Sequence, residues 1–242
     1  MCATIAAPSA YLPWTYLRDR TLLKRPCGAH WPLSTILPFT RNPWIEMKIR
    51  AGRWVWDLKS FIYKWLRSFF VYDRIYRAEI RPFRKWLTDR IQYDKKYLDL
   101  GAGSGDSFAV YPKQCHPAGL DFSLRMLKLL RKKTASPLVQ GDAAFLPFKN
   151  GAFAGITAIG LVEYVDSLPD VLSEIHRILQ PDGWLAVTIS QPNGLNLLRS
   201  LTGSRLHLYS IEKFKTLVSD RGFQTHETNK TLFQYQLYLK KS

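Results

Sequence analysis

Residues 97–105 read Tyr97-Leu98-Asp99-Leu100-Gly101-Ala102-Gly103-Ser104-Gly105. Four residues suited to a short buried strand run into three glycines at alternate positions. Glycine tolerates positive φ and lets the backbone turn sharply and approach a ligand with no Cβ in the way. A helix is expected to follow through about Tyr111. Strand, glycine turn and helix form the opening unit of an open parallel sheet, whose ligand crevice lies at the carboxyl ends of the strands. The dinucleotide fingerprint is G-x-G-x-x-G, whereas this stretch is D-x-G-x-G-x-G. An acid two residues before the first glycine sits badly against a pyrophosphate and suits a ligand bearing an ammonium group.

The chain continues to alternate strand and helix on the C-terminal side. Ala118–Asp121 reads as a second strand, and Ser123 caps a helix to about Lys133. Leu138–Asp142 is a third strand and Phe153–Leu161 a fourth, rich in small residues. Asp166 or Ser167 caps a helix to Leu179, with Pro169 tolerated in its first turn. Pro181-Asp182-Gly183 is a turn signal, and Trp184–Ser190 is a fifth strand. Ser210 caps a helix that ends at Gly222, and Phe223–Thr228 and Gln234–Leu239 are the last two strands. The expected fold class is α/β: a Rossmann-like, mainly parallel, seven-stranded sheet with helices on both faces.

Three acids fall at the ends of three successive strands. Asp99 precedes the glycines. Asp121 ends the second strand, where a carboxylate can accept from both hydroxyls of a ribose or instead cap the next helix. Asp142, in Gly141-Asp142-Ala143, can accept from the exocyclic amine of adenine, with Leu146-Pro147-Phe148 nearby to enclose the ring, or can serve its own turn. An amine, a ribose and an adenine together are the inventory of S-adenosylmethionine.

The strings YLDLGAGSGDS, AGLDFSLRMLKLL, VQGDAAFLPFKNGAF and LSEIHRILQPDGWLAVTIS cover residues 97 to about 190. They resemble the class I S-adenosylmethionine-dependent methyltransferases, in particular the broad group containing the quinone-biosynthesis methyltransferases. The resemblance implies that Asp99, Gly101, Gly103 and Gly105 form the floor beneath the methionine part. It implies that Asp121 binds the ribose with Phe122 beside the adenine, and that Asp142 and Ala143 read the adenine edge. Gly160 and Leu161 would lie near the sulfonium. The family commonly has an aspartate after the phenylalanine that starts the fourth strand, and here Ala154 stands there. Tyr72-Asp73-Arg74-Ile75-Tyr76 resembles the tyrosine-containing lead-in that closes over the cofactor in many members. The motifs specify donor and fold but not acceptor.

Methyl transfer from a sulfonium is an in-line displacement, helped mainly by proximity and alignment. A general base is needed only where the acceptor must lose a proton. Glu163 and Tyr164, after the fourth strand, and His207, in the long link from Pro192 to Ser210, are the candidates. A link of that length often forms a substrate lid. His176, inside a helix, reads as structural.

The N-terminal region has a different character. Residues 1–46 hold six prolines, show no hydrophobic period and are expected to be poorly ordered, whether as a targeting segment or as sequence upstream of a start at Met47. Residues 47–94 form a basic aromatic helical cap before the methyltransferase domain at 95–242. In it Trp54, Leu58, Phe61, Ile62, Trp65, Phe69 and Tyr76 recur at helical steps, with Lys64, Arg67, Arg74 and Arg77 on another face. Two helices split before Pro82 are expected. Such helices either pack on the core or lie flat on an anionic bilayer.

Net charge is +16, and residues 41–96 carry fifteen basic and six acidic residues. This balance favours anionic partners: phospholipid head groups, nucleic acid or an acidic protein. Cys2, Cys27 and Cys115 form no disulfide or ligand pattern, so no metal is expected and a reducing compartment is the simpler reading. The expectation is a cytoplasmic enzyme, peripheral at an anionic membrane surface, with a small lipophilic acceptor. RNA methylation is the competing enzyme reading, but no RNA-binding motif is appended and the aromatics lack base-stacking spacing, so nucleic acid is not favoured. A non-catalytic S-adenosylmethionine-binding scaffold is the alternative from another class. Oligomeric state is not legible in the sequence.

Overall fold

The computed structural model describes residues 70–190 and 207–242. Seven strands form one sheet: β1 Tyr97–Leu100, β2 Ala118–Asp121, β3 Leu138–Gln140, β4 Phe153–Ala158, β5 Leu179–Ser190, β6 Phe223–Lys230 and β7 Gln234–Lys241. Their order is β3-β2-β1-β4-β5-β7-β6. The first five strands are mutually parallel, and β7 runs antiparallel to both β5 and β6. The order reverses between β1 and β4, so their carboxyl ends open a crevice of the kind in which such sheets bind ligands. The helices are α1 Phe70–Thr88, α2 Leu124–Arg131, α3 Leu168–Ile178 and α4 Ile211–Ser219.

Both faces of the central strands are covered, and this accounts for strands that read as continuous apolar runs rather than alternations. Leu98, Leu100, Ile156, Leu185, Val187 and Ile189 join Leu172, Ile175 and Ile178 of α3 and Phe214 and Val218 of α4 in the main core. On the other face Ile80, Phe83 and Leu87 of α1 pack with Tyr97, Tyr111, Trp184 and Tyr238. Each such side chain contributes roughly 1.5–3 kcal/mol by leaving water. Here α1, the described part of the cap, packs on the core, and the expected helix face of residues 53–69 lies outside the described residues. Among the described residues no helix is long and apolar enough to cross a membrane.

Four expectations about elements need correction. The helix does not split at Pro82, which sits inside the continuous α1. Proline forfeits one backbone bond there, and the burial of Ile80, Phe83 and Leu87 on either side holds the helix together. The helix expected after the glycines shortens to a 3-10 turn, Ser107–Val110. Pro112 forces Tyr111 into the extended region, at φ −77° and ψ 145°, and ends it. The strands β3 and β4 stop at Gln140 and Ala158, two and three residues early, because the chain turns into the crevice rim. Finally, β5 begins at Leu179, before the Pro181–Gly183 turn. Leu179 pairs with Phe153 and Trp184 with Gly155, so the turn bulges out of a strand that pairs on both sides of it. Asp182 takes the left-handed conformation there, at φ 59°.

Capping follows the sequence. Ser123 accepts the Met126 N–H at 3.3 Å, and Ser210 accepts the Lys213 N–H at 3.2 Å. Ser167 rather than Asp166 occupies the cap of α3.

Candidate functional site

The crevice is built from the segments that leave β1, β2, β3 and β4. After β1 the chain turns at once, and Gly101 and Ala102 both donate to the Leu120 carbonyl, at 2.8 and 3.0 Å, fastening the turn to the end of β2. Gly101, Gly103 and Gly105 all have positive φ, but they face different ways. A Cβ at Gly101 would stand 3.1 Å from Leu161 Cδ1, and one at Gly105 would stand 2.4 Å from Leu130 Cδ1 of α2. These two glycines are required by protein packing. At Gly103 a Cβ would meet only a carbonyl at 3.9 Å, and at Gly160 nothing within 4 Å. Open space at these two positions is where a ligand can approach the backbone.

Asp121 stands beside that turn. One carboxylate oxygen accepts the Gly103 N–H at 2.8 Å and the other the Ser123 N–H at 2.8 Å. The side chain supports the start of α2, the capping role, and it also reaches the glycine turn. Burial pushes its pKa up to about 6, against the two amide bonds that lower it. Phe122 follows, half-buried, its carbonyl held by Gln140 Nε2 at 3.0 Å. Asp142 accepts the Ala144 N–H at 3.0 Å in a turn of its own, and Ala143 beneath it is buried. Leu146 and Phe148 do not enclose a ligand ring. They lie in the main core, with Phe148 edge-on to Phe153 at 4.9 Å.

Asp99 lies in the floor under the glycine turn and not where it could touch a ligand's ammonium group directly. It is fully buried, and it accepts from Thr157 Oγ1 at 2.7 Å and from Ser107 Oγ. Tyr111 Oη lies 2.8 Å from Thr157 Oγ1 and extends the network. Burial raises the Asp99 pKa to about 6, partly offset by the two hydroxyls and reinforced by Asp121. Asp99 thus ties the 3-10 turn to β1 and β4 underneath the glycines, and no part of it reaches the crevice surface.

At the end of β4 the Gly160 N–H donates to Thr188 Oγ1 at 2.8 Å. Leu161 covers Gly101, and a short 3-10 turn, Val162–Tyr164, follows. Glu163 is buried and accepts from Ser190 Oγ, at the end of β5, at 2.6 Å. The His207 N–H donates to the Glu163 carbonyl at 2.8 Å. The structure therefore brings Glu163, Tyr164 and His207 together at one edge of the crevice although His207 is remote in sequence. The rest of the expected lid lies outside the described residues, as do the side chains of Tyr72, Asp73, Ile75 and Tyr76. His176 is structural: its ring meets Phe223 edge-on at 5.5 Å, and its carbonyl accepts from Lys241.

Sequence reasoning passed over one pair that shapes the site. Arg177 of α3 donates to the Phe148 carbonyl at 2.7 Å, the Leu146 carbonyl at 2.8 Å and Asn150 Oδ1 at 2.9 Å. Glu174 holds the same guanidinium at 2.7 and 2.8 Å and accepts the Leu146 N–H at 2.6 Å. The pair clamps the segment that begins at Asp142. Its one sequence signal was an acid and an arginine three residues apart on a helix.

The family model described as "Methyltransferase domain" matches residues 98–187. The phthiotriol/phenolphthiotriol dimycocerosates methyltransferase of Mycobacterium leprae is 31% identical over 127 residues, 50% of this chain and 47% of that protein. The demethylmenaquinone methyltransferase of Lactobacillus johnsonii is 37% identical over 107 residues, 39% of this chain and 44% of that protein. The chain spans about half the length of the curated relatives it matches. Among solved structures, the magnesium protoporphyrin IX methyltransferase of Synechocystis with bound S-adenosylhomocysteine superposes at TM-score 0.62. It is 17% identical and covers 76% of this chain and 95% of its own; at that identity the likeness establishes the fold.

Proposed function

We propose that residues 98–187, which match the methyltransferase domain model, bind S-adenosylmethionine and that the chain methylates a small lipophilic acceptor. The observation that carries the donor half is the meeting of Asp121 with the glycine turn, beside open backbone at Gly103 and Gly160. These residues fit the donor: carboxylates at the ends of β2 and β3 for hydroxyls and an amine, and uncovered glycines for close approach. Bound there, S-adenosylmethionine supplies an electrophilic methyl group on a sulfonium.

The chain's own residues do the remaining work. Asp121 and Asp142 would hold the ribose and adenine ends. Leu161 would exclude water beside the reacting carbon, and alignment would lower the barrier more than any acid or base. For an acceptor that must release a proton, Glu163 is the best placed base, since Ser190 fixes its carboxyl group and the His207 N–H fastens its backbone carbonyl. The lipophilic reading is supported by the quinone and long-chain lipid substrates in the names of the relatives above.

Calorimetry tests the donor half. Wild type binds S-adenosylmethionine, and Asp121→Ala loses at least about a hundredfold in affinity, roughly two charge-assisted hydrogen bonds. Absence of binding by wild type, or equal binding by the variant, overturns the proposal. Lipid and metabolite profiling of a deletion strain identifies the acceptor, and accumulation only of undermethylated polar species refutes the lipophilic half.

A further inference from the structure

The apolar strand β5 carries two hydroxyls into its carboxyl end. Thr188 and Ser190 are both buried. They alternate along the strand with Trp184 and Ala186 and so share the face that α1 covers. Opposite Thr188 in the antiparallel pair stands Gln236, which is fully buried and donates to the Glu79 carbonyl of α1. The Glu79 carboxylate accepts the Leu232 N–H at 3.0 Å and fastens α1 to the β6–β7 hairpin. A hydroxyl in such surroundings costs free energy unless it is bonded, and valine would fill the same space without that cost. Ser190 spends its hydroxyl on Glu163. Thr188, 2% exposed, spends its own on an exposed backbone position, accepting the Gly160 N–H at 2.8 Å.

That bond sets the direction of a peptide group. Every peptide bond among the described residues is trans, so the Gly160 N–H and the Ile159 carbonyl point in opposite directions. The strand β4 lies between β1 and β5. With the N–H turned to β5, the Ile159 carbonyl is aimed to the β1 side. The register there pairs Asp99 with Thr157, and two residues further on it would set Gly101 opposite Ile159. The ladder does not continue that far, because the Gly101 and Ala102 N–H groups both go to the Leu120 carbonyl. The Ile159 carbonyl therefore faces the gap where the chain leaves β1, beside the open backbone at Gly160, and not a ladder donor.

We propose that Thr188 is a positioning residue for the amino-acid end of the donor: by holding the Gly160 N–H it keeps the Ile159 carbonyl turned toward the donor's ammonium group. That group needs an acceptor at the crevice surface, and Asp99 is not it, since Thr157 and Ser107 enclose its carboxylate in the floor. A carbonyl held from beneath by a buried hydroxyl supplies one without placing another charge in the site, and a bond to a cation is stronger than one between neutral groups. Thr188 itself touches no ligand. The inference rests on the S-adenosylmethionine reading and adds to it which end of the donor β5 serves.

Titration calorimetry on the full chain compares three ligands: S-adenosylmethionine, S-adenosylhomocysteine and 5′-methylthioadenosine. The last keeps the adenine, ribose and sulfur but has a methyl group in place of the amino-acid chain. Thr188→Val should bind the first two about tenfold more weakly, the value of one well-directed bond to a charged group, and 5′-methylthioadenosine within about twofold of wild type. Thr188→Ser keeps the hydroxyl and should keep most of the affinity for all three. Retained 5′-methylthioadenosine binding shows that the valine variant is folded. Were valine not tolerated, Thr188→Cys, whose sulfur is a weak acceptor, must give the same pattern. A merely structural role would weaken all three ligands together, and that result overturns the proposal. So does wild-type affinity of Thr188→Val for S-adenosylmethionine, or a loss in Thr188→Ser as large as that in Thr188→Val. Either result, with wild type still binding S-adenosylmethionine, leaves the donor reading standing. Failure of wild type to bind any of the three removes the donor reading and this inference with it.

Discussion

Replacing Arg177 with methionine removes the clamp on the Asp142 segment while keeping most of the side chain's volume. Three donors to that segment disappear, of which the bonds to the Leu146 and Phe148 carbonyls are half-buried and the bond to Asn150 is exposed. The two inner bonds are worth about 1 kcal/mol each net. The ion pair with Glu174, with side chains 29% and 22% exposed, adds no more than about 1 kcal/mol after solvent screening. A total near 3 kcal/mol corresponds to a fall in Tm of about 6–12 °C for a chain of this size. The segment would also lose its fixed distance from Asp121, and one adenine-edge bond made poorly costs about tenfold in S-adenosylmethionine affinity. Arg177→Lys should recover the pair with Glu174 but not both carbonyl bonds, because an ammonium lacks the planar fork. Differential scanning calorimetry with and without S-adenosylmethionine, and titration calorimetry on the same samples, read both effects. A Tm within about 2 °C of wild type would refute the clamp. A lowered Tm with unchanged affinity would refute its link to the adenine side.

Three further outcomes are expected. Asp99 has a folded pKa of about 6, above its ordinary value of 3.8, so its neutral form is favoured by folding. The stability it adds is present at low pH and is lost as pH rises through about 6. Its contribution falls by on the order of 1 kcal/mol between about pH 5 and 7.5, and Asp99→Asn should roughly halve that slope of the urea-melt profile, because Asp121 titrates in the same window; an unchanged slope counts against the buried carboxyl. Gly160→Ala should fold, at a cost of about 1 kcal/mol for its positive φ, yet bind S-adenosylmethionine more weakly, since its methyl projects into open space. Unaltered affinity would place Gly160 outside the site. Glu163→Gln keeps an acceptor for Ser190 and should leave S-adenosylmethionine affinity unchanged while kcat falls about 10²–10⁴-fold, with loss of an acid limb in the pH profile; full activity removes Glu163 as the base.

Periodicity and punctuation carried the central part of the fold. A four-residue apolar run into Gly101, serine caps at Ser123 and Ser210, and small-residue strands are local signals, and local geometry answers to them directly. The Asp121 and Asp142 positions were legible for the same reason: strand ends are marked by the glycines and turns beside them. Pro82 was misread because the breaking tendency of a proline is local, whereas the burial that overrides it comes from Tyr97, Trp184 and Tyr238, distant in sequence. The length of the helix after the glycines was misread although its stop, Pro112 after Tyr111, is local and stood in the sequence.

The sequence by itself therefore determined the sheet-forming order of elements, the glycine turn and the set of carboxylates, since each depends on the preferences of neighbouring residues. Only the tertiary structure decided which carboxylate faces the crevice. Asp99 and Asp121 have the same chemistry and both stand at strand ends, but Thr157 and Ser107 enclose the first, while the second meets Gly103 and Ser123. Likewise, only folding brings His207 to Glu163 and fastens Glu79 to the Leu232 hairpin, because hydrogen bonds between residues far apart in the chain leave no periodic trace in it.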